Sequence, residues 1–318
     1  MLNKHSDITQ TVEILDGGTG EELQRLGLPD DRKFWSARAL VDRQYHDLLR
    51  RVHQNFIRAG ARYVTTSNYA VTPTCGLADR IEELTTLAGQ LAVDARNQCT
   101  QEGYSPVKIC GCLPPLGESY RPDLILPREL SLGYYRRIAL SLLPFVDIFL
   151  AETMSCLAEA TWALEAAIAV SADLPLWVSW TVQQDGCLRS GESATEAIRS
   201  LLNFPEIARR LKAISFNCSE PESISLTLQA IHQDKSLTKD LQQREICLGA
   251  YANCLVPVAP DFELANSESA APIRDDLTPA VYTKFARDWV NLGAHFVGGC
   301  CGVGPQHIRD LSDRLISD

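Results

Sequence analysis

The feature that most restricts the fold of this chain is a rhythm repeated eight times, a short β-rich apolar run followed by a turn and a longer stretch with helical spacing. The runs are VEILDGG (12–18), ARYVTTSNY (61–69), VKICGCL (107–113), VDIFLAET (146–153), LPLWVSWTV (174–182), LKAISFNC (211–218), EICLGAYAN (245–253) and AHFVGGCC (294–301). Strand then helix, eight times in 318 residues, is the pattern of an α/β (β/α)8 TIM barrel. We expect one domain over residues 1–318, because no Pro/Ser-rich or charged linker divides the chain. An open doubly wound sheet is the runner-up; it lacks the dinucleotide fingerprint, since Gly18-Thr19-Gly20 is followed by Leu23 where a third glycine is needed. The first helix is expected to carry Val41, Tyr45, Leu48, Leu49, Val52 and Phe56 as one buried stripe. Thr278-Pro279 reads as an N-cap followed by proline at the first helical position.

A barrel also says where chemistry sits, because catalytic groups gather where strands end and the following loops begin. The polar residues at those ends are Asp16, Asn68, Glu152, Asn217, Cys218, Asn253, Cys300 and Cys301. Cys218 closes the sixth run and Cys300-Cys301 the eighth, so three thiols from loops two strands apart can face one point. Three thiolates suit zinc with one position open, and the glycines of GGCCG (298–302) let the backbone bend both neighbours toward one ion. Spacing alone leaves the alternative standing, because a free cysteine in a barrel is more often a small buried hydrophobe. That reading is applied to Cys75, Cys99, Cys110, Cys112, Cys156, Cys187 and Cys247. The six histidines form no spaced cluster; none is assigned chemistry, and His53 and His307 are expected at the surface or core edge.

Charge narrows the partners. Thirty Lys and Arg stand against forty Asp and Glu, a formal charge of −10 with no basic cluster, which disfavours nucleic acid and anionic membranes and leaves small molecules. The polar start MLNKHSDITQ and the lack of a run of about 18 apolar residues lead us to expect a soluble, cytoplasmic protein. Eleven cysteines in such a compartment argue against a disulfide framework.

The segments GGCCGVGPQHI (298–308), SFNC (215–218), DGGTGEELQRLG (16–27), FWSARAL (34–40), AGARYVTTSNY (59–69) and ETMSCLAEA (152–160) together resemble the homocysteine S-methyltransferase family over nearly the whole chain. The pairing of NC with GGCCG is the specific part of the likeness. The resemblance implies a (β/α)8 barrel with zinc on Cys218, Cys300 and Cys301, whose open position takes the thiol of homocysteine. It implies that Asp16 and Glu152 hold the substrate amino group. Gly17 and Gly18 are candidates to bring backbone N–H groups to its carboxylate, and Asn217 and Asn68 to help orient it.

The expected reaction moves a methyl group from a sulfonium donor, S-methylmethionine or S-adenosylmethionine, and forms methionine. A sulfonium departs as a neutral thioether, and its charge suits an acidic protein. Betaine as donor is an alternative; relatives that use it carry a C-terminal extension that is not seen after QHIRD (306–310). A thiol-binding or structural-zinc barrel without turnover is another, with Cys254 as a fourth sulfur. Cys254 lies in YANCL (251–255), where family members commonly have Tyr-Pro-Asn-Ser-Gly, so the donor side departs from the pattern. The stretch that follows, residues 256–276, is expected to form a mobile loop over the mouth.

Overall fold

The computed structural model describes residues 12–257 and 271–316. Most of the stretch expected to be a loop over the mouth therefore lies outside the described residues.

All eight runs form strands: β1 (Glu13–Ile14), β2 (Tyr63–Thr65), β3 (Lys108–Leu113), β4 (Ile148–Met154), β5 (Leu176–Trp180), β6 (Leu211–Asn217), β7 (Cys247–Tyr251) and β8 (Ala294–Val297). Every adjacent pair is parallel, in the order β1-β8-β7-β6-β5-β4-β3-β2. The ring closes between β1 and β2, where Leu15 bridges Tyr63 and the Asp16 N–H donates to the Tyr63 carbonyl at 3.0 Å. The helices lie between the strands: α1 (Thr19–Arg25), α2 (Arg38–Val41), α3 (His46–Ala59), α4 (Ile81–Gln101), α5 (Arg128–Leu142), α6 (Leu157–Val170) and α7 (Ala194–Leu202) in the first part. They continue with α8 (Pro205–Arg210), α9 (Pro221–Gln233), α10 (Lys235–Gln243), α11 (Pro279–Asn291) and α12 (Pro305–Leu315). This is the (β/α)8 barrel.

The expected first helix is shorter than its stripe. Asp42 is extended (φ −107, ψ 111) and its carboxylate accepts from the Gln44 N–H, so Val41 ends α2, Tyr45 ends a 3-10 turn, and α3 keeps Leu48, Leu49, Val52 and Phe56. A side chain that satisfies a nearby amide lets the backbone leave the helix without an orphaned donor. Thr278 and Pro279 behave as expected, with the Thr278 side chain accepting from Val281 N–H at the start of α11. His53 is not at the core edge: on α3 it is wholly buried, its Nδ1 has no partner among the described residues, and burial pushes its pKa down to about 4.

The barrel interior is filled from below. Leu15, Cys110, Ile148, Leu150, Trp177 and Phe296 pack together, with Trp177 stacked on Phe296 at 4.7 Å and tilted against Tyr63 at 4.9 Å. A Cβ on Gly249 would lie 2.0 Å from the Phe296 ring, so glycine there makes the room that the ring fills. With its floor packed by apolar side chains, the barrel has its open cavity at the C-terminal mouth. No helix of the described residues is long and apolar enough to cross a membrane.

Candidate metal and substrate site

Three thiols meet at the mouth. Cys218 follows β6, Cys300 and Cys301 follow β8, and their Sγ atoms all lie within 4.8 Å of one another, with Cys218 and Cys301 at 3.7 Å. The Tyr120 hydroxyl is 2.9 Å from the Cys218 sulfur, and the Asn217 amide reaches toward Cys300 at 4.0 Å. The thiols act on each other. Hydrogen bonds from Cys300 and Cys301 hold the Cys218 pKa well below its ordinary value, and the same bonds to Cys218, with burial and the Cys218 charge behind them, push Cys300 and Cys301 up. One thiolate is thus favoured and three together are not, unless a cation joins them. That need, with three sulfur donors at one point, fits a soft divalent metal ion. Cys254, the expected fourth sulfur of a closed site, is not in this cluster among the described residues. It is buried beneath Gly302, and its N–H donates to the Cys301 carbonyl at 2.8 Å.

The two glycine motifs explain each other. The Gly299 N–H donates to the Asp16 carbonyl and the Gly18 N–H to the Val303 carbonyl, each at 2.9 Å, so the ends of β1 and β8 cross backbone on backbone. A Cβ at Gly17 would lie 2.2 Å from the Val303 carbonyl oxygen, at Gly18 2.6 Å from that of Cys300, and at Gly298 2.6 Å from the Leu15 Cβ. Close approach is therefore what these glycines supply. For Gly18 this corrects the expectation that its N–H greets a substrate carboxylate, because that donor is already committed to the fold.

The carboxylates stand beside the sulfurs. Asp16 accepts from the Thr65 N–H at 2.8 Å, and Glu152 from the Cys112 thiol at 3.5 Å. Burial pushes the Asp16 pKa well up, and the nearby Glu152 charge adds to it; burial takes Glu152 up to about 7. Two acids raised by burial, with the Glu152 charge bearing on Asp16, are an incomplete arrangement, and a cation beside them would relieve both. Both line a cavity of about 360 Å³, together with Gly17, Gly18 and the three cysteines; its other walls include Trp35, Tyr69, Tyr120 and Ile273.

Other expected residues stand behind this surface. Asn217 is wholly buried and does not line the cavity: its Oδ1 accepts from Ser179 Oγ at 2.7 Å and Thr153 N–H at 3.2 Å, and its Nδ2 donates to Thr153 Oγ1 at 2.8 Å. It reaches the site through Thr153 and Cys300. Asn68 donates to the Cys112 carbonyl and accepts from Thr66, and Asn253 accepts from the Leu255 N–H, so both are turn residues. Of the cysteines read as core, Cys99, Cys110, Cys112 and Cys156 are buried, whereas Cys75, Cys187 and Cys247 are partly exposed.

Sequence reasoning missed Tyr120, Thr65, Trp35 and Glu21. Tyr120 had a readable signal, since PPLGESYRP (114–122) brackets a loop after the third strand with prolines and a glycine.

Comparison with known proteins covers the whole of this architecture. A family profile described as homocysteine S-methyltransferase matches residues 13–315. The chain is 26% identical over 316 residues to S-methylmethionine–homocysteine S-methyltransferase of Rattus norvegicus, covering 96% of this chain and 78% of the relative. It is likewise 26% identical over 325 residues to betaine-homocysteine S-methyltransferase of Drosophila melanogaster, covering 94% and 93%. Among solved structures, the metallated form of the homocysteine methyltransferase MmuM from Escherichia coli superposes with a TM-score of 0.76 at 24% identity, covering 96% of each chain, a likeness of fold.

Proposed function

Because this chain belongs to the homocysteine S-methyltransferase family, a family of methyltransferase enzymes, we propose that it moves a methyl group from a sulfonium donor to homocysteine, with zinc on Cys218, Cys300 and Cys301. The supporting observation is the convergence of three thiols beside two buried carboxylates in one cavity. Sulfur donors of that number and softness fit zinc. When bound, the ion would supply the positive charge that keeps a substrate thiol ionised near neutral pH.

The remaining work falls to the chain's own groups. Asp16 and Glu152 would take the substrate ammonium between them, and the ion pairs would draw both pKa values back down. Thr65 fixes the Asp16 carboxylate through its backbone N–H. Trp35 and Tyr120 supply apolar wall that limits water around the reacting sulfur. In the transfer, the donor's S–CH3 bond breaks as a new one forms on the homocysteine sulfur. A sulfonium and a thiolate become two neutral thioethers, and loss of charge is favoured where water is scarce. The relatives named for S-methylmethionine and for betaine mark the two donor classes to compare.

The test is direct. Reduced, zinc-loaded protein is incubated with homocysteine and either S-methylmethionine, S-adenosylmethionine or betaine, and methionine is measured by mass spectrometry. Product from a sulfonium, about one zinc per chain, and loss of both with Cys218→Ser, Cys300→Ser or Cys301→Ser are expected. Product from betaine alone, or full activity without zinc, overturns the reading.

A further inference from the structure

We propose that Glu21 receives the positive charge of the methyl donor, making this pocket selective for a cationic donor over the neutral thioether it becomes. The inference rests on the sulfonium reading above and assigns a residue to its donor side.

Glu21 sits in the first turn of α1 and lines the same cavity as the cysteines. The residue is partly exposed, yet its Oε2 is sealed from solvent and has no hydrogen-bond partner among the described residues. Room is kept for it, because a Cβ on Gly18 would come within 3.0 Å of that oxygen. The Gly18 N–H cannot serve it, being held by Val303. Arg25 does not serve it either, closing on Glu22 through two bonds of 2.7 Å. Burial does most to raise the Glu21 pKa and the Cys218 charge adds to it, while hydrogen bonds from its own backbone, Cys301 and the Gly302 amide offset part of this; none of these groups is positive. A sealed carboxylate in such a place is costly until a cation arrives.

The substrate ammonium already has partners. The Glu152 charge bears on Asp16, whereas the Glu21 side chain meets Cys301, so the acids offer places for two cations. Metal ligation is a poorer use of Glu21, because its oxygens are not among the atoms that converge within 4.8 Å. The chemistry fits the placement. In the transfer the electron pair of the donor's S–CH3 bond stays with the donor sulfur, a pair on the homocysteine thiolate forms the new bond, and the thiol proton has already gone to solvent. Positive charge beside Glu21 is full before the step, reduced during it and absent afterwards. Glu21 therefore strengthens donor binding more than it stabilises the transition state, and its contribution appears in KM.

The experiment uses zinc-loaded wild type, Glu21→Gln and Glu21→Asp with S-methylmethionine and homocysteine. Glu21→Gln should raise KM for the donor about tenfold or more, as expected for losing a charge-assisted contact, with a much smaller loss in kcat. Glu21→Asp should recover part of that loss, and zinc content and KM for homocysteine should stay within about twofold of wild type. An unchanged donor KM in Glu21→Gln overturns the inference, as does loss of zinc or an equal rise in KM for homocysteine, each of which would place Glu21 on the sulfur cluster instead. If wild type makes no methionine from either sulfonium, the functional reading falls and this one with it. If wild type is active and Glu21→Gln matches it, this inference alone falls.

Discussion

Gly17→Ala tests whether the crossing of β1 and β8 builds the sulfur cluster. The added Cβ would lie 2.2 Å from the Val303 carbonyl oxygen and 2.8 Å from a Phe56 ring carbon, where ordinary contact begins near 3.4 Å. The ring can turn, but the carbonyl is backbone and must retreat by roughly 1 Å. It is also the acceptor for the Gly18 N–H, and the Val303 N–H donates back to Cys300 at 3.0 Å, so the turn carrying Cys301 moves with it. Overpacking of about 1–3 kcal/mol and one weakened hydrogen bond of about 1 kcal/mol give about 2–4 kcal/mol in all. Calorimetry should show the melting midpoint lowered by about 3–6 °C. Competition with a chelator should show zinc held at least about tenfold more weakly, since a ligand has been displaced. The control is Gly133→Ala, in the exposed interior of α5 with nothing within 4 Å of the new Cβ, which should stabilise by about 0.5–1 kcal/mol through helix propensity. Wild-type melting and zinc affinity in Gly17→Ala, or equal damage from Gly133→Ala, would refute the argument.

Two further substitutions probe the layers behind the site. Glu159 on α6 is wholly buried, accepts from the Leu116 N–H at the base of the loop that carries Tyr120, and is pushed by burial up to about 7. A raised acid stabilises the fold fully below its unfolded pKa near 4.5 and loses that contribution as pH rises through 7. Glu159→Gln, which cannot ionise, should gain on wild type by on the order of 2–3 kcal/mol between pH 5 and pH 8; equal melting differences at the two pH values would contradict this. Asn217→Ala removes the partners of Thr153 and Ser179 in a buried place, at a cost of about 1–3 kcal/mol in stability. Because Thr153 adjoins Glu152, KM for homocysteine should rise about tenfold while KM for the donor changes less; an equal change in both would show general loosening instead.

What could be read in the sequence follows from what repeats. A strand buried on both faces must be apolar throughout, and a helix on a barrel must show one apolar stripe, so eight alternations appear plainly in the chain. Cys218, Cys300 and Cys301 were legible because strand ends in a barrel share a mouth. The function of the glycines was half legible. Their spacing showed that backbone must approach something, but not that DGG and GGCCG approach each other across 280 residues of chain, which turned the Gly18 N–H from a substrate donor into a structural one. Glu21 and Tyr120 were hidden for a different reason: a glutamate in a helical turn and a tyrosine in a loop have ordinary surface explanations, and only burial removes them.

Backbone strain was the least visible of all, and it concentrates where chemistry is expected. Among the described residues, five other than glycine have positive φ: Trp35 (42), Tyr120 (69), Thr153 (58), Cys218 (48) and Glu245 (55). The first four line the cavity, while Glu245 sits in the turn before β7. Each such residue costs about 1–3 kcal/mol, and a β-branched threonine is among the worst suited to the left-handed region. Thr153 is held there by three contacts from Asn217 and Ser179's neighbourhood: the Asn217 Oδ1 on its N–H, the Asn217 Nδ2 on its hydroxyl, and the bond of Ser179 that fixes the same amide. The conformation bends the chain directly after Glu152, at an irregularity in the β4–β5 register between Ala151 and Met154, where Glu152 lines the cavity it shares with the three cysteines. Asn217 and Cys218 are adjacent in sequence for the same reason. One residue ends β6 by fixing the strained turn across the barrel, and the next, itself left-handed, turns its sulfur toward Cys300 and Cys301. The Asn-Cys pair is therefore one device, in which the asparagine fixes the turn directly after Glu152 and the cysteine brings its sulfur into the cluster with Cys300 and Cys301.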